Sequence, residues 1–282
     1  MDIKIIIAMH KPYQVPEDAA YLPLQVGADG KKEIRVEDCP GAEINHANKN
    51  AAAIARDDDG DNISDKNPYF CELTGLYYGW KNLDAEAIGL VHYRRYFSAK
   101  SKSYRKKHGM FESALSFDEA SAFLKRADIV VPKKRKYYIE SLYSHYAHTL
   151  DGSHLDKAKV IIGDKYPEYI PYVNKAFKQT WGYMFNMAIM PRKELDEYCS
   201  WLFDILFELE NRIDTSEMDA FSARLFGRVS EVLFNAWVLK KMDEGMSIVE
   251  CPVIDMESVN WPKKILGFLM AKFFGKKYSK SM

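Results

Sequence analysis

Residues 86–97 read EAIGLVHYRRYF. The apolar run from Ile88 to Val91 has the length of a buried strand, and it delivers the chain straight into His92, Tyr93, Arg94, Arg95 and Tyr96. Strands covered by helices on both faces read as continuous apolar runs rather than as alternation. In open α/β sheets the ligand sits beyond the carboxyl ends of such strands. A histidine and two arginines therefore stand where a ligand would be held. Arginine brings a permanent charge and a planar fork that matches phosphate oxygens. Adjacent residues of an extended chain point to opposite faces, so both arginines reach one ligand only if the chain leaves the strand there.

Outward from this stretch the same grammar recurs. IKIIIA (3–8) is a β-branched run that ends in His10, Lys11 and Tyr13, and YLPLQVGA (21–28) holds a second extended piece. Asn67-Pro68 reads as an N-cap followed by proline at the first helical position, and Tyr69, Leu73, Leu76, Tyr77 and Trp80 then recur at helical spacing. Ser116 and Glu119 form a capping box ahead of a further helix, and DIVVP (128–132) follows as a strand. The stretch 137–180 is helical and aromatic, which marks a helical insertion. MFNMAIM (184–190) reads as a strand carrying Asn186, two long helices follow over 193–212 and 228–242, and SIVECPV (247–253) closes the pattern. Strands alternating with helices predict an α/β fold on a mainly parallel sheet. The expected organisation is one domain over 1–260, with the insertion inside it, and a separate tail over 261–282.

Bulk properties narrow the function by exclusion. The 282 residues are 47% hydrophobic and 28% charged, and 40 Lys+Arg balance 40 Asp+Glu. Zero net charge and the lack of a nucleic-acid motif argue against a nucleic-acid partner. The four cysteines are too scattered for a zinc knuckle or a redox pair, and single thiols suit a reducing cytoplasm. The first residues lack the apolar stretch of a signal peptide, and no run is long enough to span a bilayer. The chain has no GxSxG, P-loop or GxGxxG, which removes the main supports for hydrolase, NTPase and dehydrogenase readings.

Further clusters remain open at this level. Basic residues at 100–107 and in KKRK (133–136) follow strands, and a diphosphate is the small anion that they suit. The acidic run RDDDGDN (56–62) misplaces the glycine and lacks the final glutamate of a calcium loop; it reads as a solvated turn, or as Asp61 and Asn62 binding sugar hydroxyls. His145 and His148 share a helix face near His154, either as metal ligands or in an acceptor-contacting segment. The tail, WPKKILGFLMAKFFGKKYSKSM, carries six lysines and no acid. It reads as a basic amphipathic helix, either on an anionic membrane surface or packed on the domain.

Six phrases, HKPYQVP (10–16), YLPLQVGA (21–28), GDNISDKNPYFCELTGLYYGWKN (60–82), GLVHYRRYF (89–97), ADIVVPKKR (127–135) and GRVSEVLFNAWV (227–238), together resemble a family known as a domain of unknown function. That family occurs in capsular and exopolysaccharide gene clusters, and its members are described as glycosyltransferases. The resemblance implies a GT-A-like fold, with a nucleotide-binding half and an acceptor half. It implies that His10, Lys11 and Tyr13 bind the donor nucleotide, with Asp61, Asn62 and Lys66 in the same cleft. Arg94 and Arg95 would hold the diphosphate where related enzymes place a metal-binding Asp-x-Asp. Asn186 would contact a sugar, and Glu231, at the start of a late helix, would be the catalytic carboxylate with His92 behind it. Divalent Mn or Mg is compatible with this sequence and not required by it. The expected activity moves a hexose, galactose or galactofuranose in some relatives, from a UDP-linked donor to a lipid-linked oligosaccharide at the inner face of a bacterial membrane. The competing expectation is a non-catalytic nucleotide-sugar or carbohydrate-binding protein of the same pathway.

Overall fold

The computed structural model describes residues 1–41 and 53–257. The strands are β1 (Ile3–Met9), β2 (Tyr21–Gln25), β3 (Ala55–Arg56), β4 (Ala87–His92), β5 (Arg95–Phe97), β6 (Ile129–Pro132), β7 (Arg135–Lys136), β8 (Trp181–Gly182), β9 (Ala188–Pro191), β10 (Ile248–Cys251) and β11 (Val253–Asp255). The α-helices are α1 (Asn67–Phe70), α2 (Leu73–Asn82), α3 (Lys102–His108), α4 (Phe117–Leu124), α5 (Leu142–Thr149), α6 (Ser153–Lys165), α7 (Ile170–Lys178), α8 (Arg192–Asn211) and α9 (Leu225–Asp243). These elements fall into two compact units. One comprises 1–133, 186–199 and 246–257, and the other 134–185 and 200–245 among the described residues.

The first unit is built on a nine-stranded sheet, ordered β10-β6-β9-β4-β1-β2-β3, with β5 beside β4 and β11 beside β5. Neighbours pair parallel except around β9 and β5, which run antiparallel to the strands beside them. The sheet is thus mostly parallel and flanked by helices, as the alternation predicts. β1 lies inside it, between β4 and β2, and Ile3, Ile5, Ile6, Ile7 and Met9 are completely buried. Burial on both faces is why this strand is apolar apart from the half-buried Lys4 near its start. Helix α2 packs against β1 and β4 through Gly75 and Gly79. A Cβ on Gly79 would lie 2.3 Å from Ile6 Cδ1, and one on Gly75 would lie 3.0 Å from Val26 Cγ1. Of the apolar stripe read along this helix, Leu73 and Leu76 are core, whereas Tyr69, Tyr77 and Trp80 are only half-buried.

The second unit holds the two-stranded β7–β8 ribbon, helices α5, α6, α7 and α9, and the later part of α8. Helix α9 is buried on nearly every side from Leu225 to Val238, which is why its apolar residues show no single stripe. The helical insertion expected over 137–180 is therefore part of a larger body, because the apolar α8 and α9 complete its core.

Two local expectations are corrected. The strand expected over 184–190 begins only at Ala188, because Phe185 and Asn186 have φ of 77° and 52°. Left-handed residues cannot join an extended ladder, so Asn186 sits in a turn. The single helix expected from Asn67 is broken at Cys71, with φ 55°, into α1 and α2. Asn67 is itself helical and does not cap; its side-chain amide donates to Cys71 O at 2.8 Å and Thr74 Oγ1 at 3.1 Å, tying the two helices together. The capping box at Ser116 and Glu119 is present as read. The basic tail lies outside the described residues, and no described helix is long and apolar enough to cross a membrane.

Candidate functional site

β4 ends at His92, Tyr93 and Arg94 form a two-residue turn, and Arg95 pairs back on His92 to open β5. The chain leaves the strand where the paired arginines required it to. Each arginine then meets an acid from the segment around β11. Arg95 Nε donates to Asp255 Oδ1 at 3.1 Å, and Arg94 Nη1 lies 3.5 Å from Glu257 Oε2. The Arg95 pair is the tighter and more sheltered; the Arg94 pair is exposed, and such pairs hold weakly.

The turn also delivers Tyr93, which the sequence reading passed over. Its ring stacks on Tyr13, with centroids 3.7 Å apart and planes 19° apart. His10 stands edge-on to both, 5.9 Å from Tyr13 and 5.2 Å from Tyr93. Lys11 Nζ lies 5.2 Å from the Tyr13 centroid, and the Arg94 guanidinium lies 4.9 Å from that of Tyr93. Burial, then hydrogen bonding with Tyr13, pushes the Tyr93 hydroxyl up to about 12, so it stays protonated. His10, Lys11, Tyr13 and Arg94 are thus brought together at the carboxyl edge of the sheet, with His92 at the end of β4. The position of Tyr93 inside HYRR was the available sign of it.

The neighbouring loops are held from below by Asp57, which is completely buried. Its Oδ1 accepts from Ala28 N at 2.9 Å and Ser64 Oγ at 2.5 Å; its Oδ2 accepts from Gly27 N at 2.9 Å and Thr74 Oγ1 at 2.6 Å. The acidic run is therefore not a solvated turn at this residue. Gly27 has φ of 59°, and a Cβ there would lie 2.4 Å from Asn67 Oδ1, so only glycine fits. Asp58 grips Arg56 through Nε and Nη2, and Arg56 Nη2 also donates to Ala28 O at 2.8 Å. The Arg56 guanidinium holds the Asp58 carboxyl below its ordinary range.

Asn186, in its left-handed turn just before β9, is buried, and its Nδ2 donates to Glu72 Oε1 at 2.7 Å. Because β9 runs antiparallel to β4 with Ala188 opposite Leu90, this pair lies at the same carboxyl edge. Lys66 belongs to the short 3-10 turn that includes Ser64, a member of the Asp57 network.

Asp61 and Asn62 are not brought to that edge. Tyr77 Oη donates to Asp61 Oδ1 at 3.1 Å, and Asn82 Nδ2 donates to Asp61 O at 2.8 Å. Asn82 ends α2, about 12 Å along the helix from Thr74 at 1.5 Å per residue, near the start of β4. Asn62 spends its amide on its own loop, donating to Asp58 O and Gly60 O and accepting from Ser64 N. The basic residues at 100–107 are displaced too, because β5 turns the chain back. Arg105, Lys106 and Lys107 fill the last turn of α3, where cations suit the helix dipole, and Lys100 pairs with Glu119 at 2.8 Å.

In the second unit, Glu231 lies within α9, two turns past its start at Leu225 rather than at the beginning of the helix. It is half-buried, and its backbone carbonyl accepts from Asn235 Nδ2 at 2.8 Å. Its charge is among those that raise the Tyr137 hydroxyl, although burial is the main cause. Nearby, the buried carboxylate of Glu140 accepts from His145 Nδ1 at 3.0 Å and from His148 Nδ1 at 2.5 Å. His154 instead meets Tyr146 Oη at 3.1 Å, so the histidines of this segment do not converge on one point.

Burial lowers the His145 pKa, against the opposing pull of Glu140. A depressed imidazole favours the fold while it is neutral. Stability should therefore hold above about pH 6.5, the ordinary histidine value, and fall as the pH drops through and below it. Melting temperature measured from pH 8 to 5 should show this slope, and His145→Gln should flatten it.

Among the described residues no group of three or more histidine, cysteine or acidic side chains is gathered to hold a metal. The end of β4 offers an imidazole and two guanidiniums, which do not fit a divalent cation.

A search of curated proteins finds no match. Among solved structures, the chain is similar to one described as the apo form of the WbbM bifunctional glycosyltransferase, with a TM-score of 0.77 and 28% identity. The likeness covers 92% of this chain and 46% of that one, so this chain spans less than half of that protein's length. The fold is thus that of a glycosyltransferase structure. Residues 4–242 match the family described as a domain of unknown function (DUF4422), and the chain belongs to that family.

Proposed function

We propose that the protein is a glycosyltransferase that takes its nucleotide-sugar donor at the carboxyl edge of the nine-stranded sheet. The observation that carries this reading is the Tyr13–Tyr93 stack flanked by Lys11 and Arg94, at the ligand edge of a fold shared with a glycosyltransferase structure. Aromatic faces with cations beside them suit a nucleobase joined to a diphosphate. Glycosyl transfer breaks the bond from the anomeric carbon to the diphosphate, and negative charge grows on the departing oxygen. Cations already in place stabilise that charge. In this reading Arg94, Lys11 and Lys66 face the diphosphate, His10 and Tyr13 the base, and Asn186 the donor sugar. Glu231 is the catalytic carboxylate, with His92 in support. Asp61 and Asn62 hold their loop. The finer reading is a UDP-linked hexose donor, galactose or galactofuranose among the candidates. Its acceptor is a lipid-linked oligosaccharide of a bacterial surface polysaccharide, met by a cytoplasmic protein at the inner membrane face.

The test is release of nucleoside diphosphate from a panel of UDP-hexoses, followed by phosphate NMR. The two arginines should behave differently. Arg94→Ala should weaken donor binding about tenfold, the worth of one charge-assisted contact. Arg95→Ala should leave donor affinity near wild type and cost about 0.5–1 kcal/mol of stability through the lost Asp255 pair. Equal loss of donor affinity in both variants would contradict the assignment.

A further inference from the structure

The segment around Glu140 in the second unit carries features that the donor site does not use. Tyr137 is pinned: its N donates to Thr180 O at 2.7 Å, and its ring lies 4.3 Å from that of His145. Ile139 N then donates back to Tyr137 O at 2.7 Å, which closes a tight turn. Tyr138, at the centre of that turn, has φ of 59°. A bulky non-glycine residue in the left-handed region is strained, and such strain collects at ligand sites. Its result is display, since Tyr138 is 79% exposed and Ile139 is 54% exposed. Two residues on, the buried Glu140 carboxylate fixes two imidazoles at once. A carboxylate only accepts, so both histidines turn a protonated Nδ1 toward Glu140. The His148 side chain is 42% exposed, so the far edge of its ring is both oriented and accessible.

An exposed aromatic face and, in the same segment, an imidazole fixed in orientation are the chemistry that recognises a pyranose. The ring covers the sugar's C–H face, and the imidazole hydrogen-bonds a hydroxyl. We propose that Tyr138 and His148, the latter held by Glu140, form a sugar-binding subsite for the acceptor glycan. The proposal rests on the glycosyltransferase reading and adds the residues that select the acceptor. His148 and Tyr138 bind the sugar, and Glu140 is a positioning residue that acts through His148.

Saturation-transfer NMR with methyl β-D-galactopyranoside, methyl β-D-glucopyranoside and methyl α-D-mannopyranoside tests it on the full chain. At least one of the three should receive saturation on its ring protons. Tyr138→Ala and His148→Ala should each weaken that binding about fivefold to tenfold, whereas Tyr138→Phe should retain it. Tyr138 is exposed, so loss of fold does not obscure the result. Glu140→Gln should weaken sugar binding, and Glu140→Asp should restore part of it. No saturation of any of the three sugars, or unchanged saturation in Tyr138→Ala and His148→Ala, overturns the proposal. A melting shift with a nucleotide sugar, measured on the same samples, separates the two readings. If it persists while the sugars fail, the subsite alone is wrong; if it is absent, the donor reading has failed.

Discussion

Asp57→Ala is expected to lower stability by on the order of 3–5 kcal/mol, by the loss of hydrogen bonds to a buried charge and the stranding of buried donors. The carboxylate is completely buried and receives four donors, two from the backbone at Gly27 and Ala28 and two from the hydroxyls of Ser64 and Thr74. Alanine leaves all four facing an empty space. Asp57→Asn should be milder but still costly. Either orientation of the amide sets an NH₂ group against a backbone N–H, since each carboxylate oxygen accepts from one. Urea midpoints of the three proteins measure the series directly. A loss below about 1 kcal/mol for alanine would mean that the loops after β2 and β3 are not held by this residue.

The second large effect is expected at Glu231. Under the glycosyltransferase reading, Glu231→Gln should reduce turnover about 10²- to 10⁴-fold, the usual contribution of a positioned acid or base. The substitution keeps size and shape, and the Glu231 backbone contact with Asn235 does not depend on the side chain. Donor binding should therefore be unchanged. Donor binding kept with turnover lost supports an enzyme. A wild type that binds nucleotide sugar and never turns over, even with acceptor, supports the binding-protein alternative. Turnover that survives in Glu231→Gln moves the catalytic role elsewhere.

The scaffold was legible because its signals are local and strong. β1, β4 and β6 announce themselves as apolar runs, and Ser116 with Glu119 marks a helix start by two reciprocal hydrogen bonds. The turn at 185–186 was not legible. Phe185 and Asn186 lie in an apolar stretch that looks like strand, and only their backbone conformation removes them from it. The break at Cys71 was hidden for the same reason. Asp57 illustrates a different limit. In sequence it is one of three consecutive aspartates, and nothing local distinguishes the buried carboxylate from Asp59, which stands in a surface turn. Burial is decided by Gly27, Ser64 and Thr74, which are distant in the chain.

The site was legible in part. His10, Lys11, Tyr13 and Arg94 do gather, because each follows a parallel strand and parallel strands end together. Asp61 was assigned to the same place by the family resemblance, but the chain carries it to the far end of α2, where Tyr77 and Asn82 hold it. Lys100 to Lys107 were misplaced because the hairpin at Tyr93–Arg94 reverses direction. Tyr93 was missed because the arginines beside it drew the chemical argument, while its partner Tyr13 lies 80 positions away.

The central claim is that a nucleotide-sugar donor binds on the aromatic platform after β1 and β4. The most direct measurement is a melting-temperature panel of nucleotide sugars, each with Mn²⁺ and with EDTA, on the wild type and on Tyr93→Ala. The account predicts that at least one nucleoside-diphosphate sugar raises the wild-type melting temperature, that EDTA does not remove the shift, and that Tyr93→Ala loses it while remaining folded. If no nucleotide sugar stabilises the wild type, or if Tyr93→Ala responds as the wild type does, the claim is contradicted.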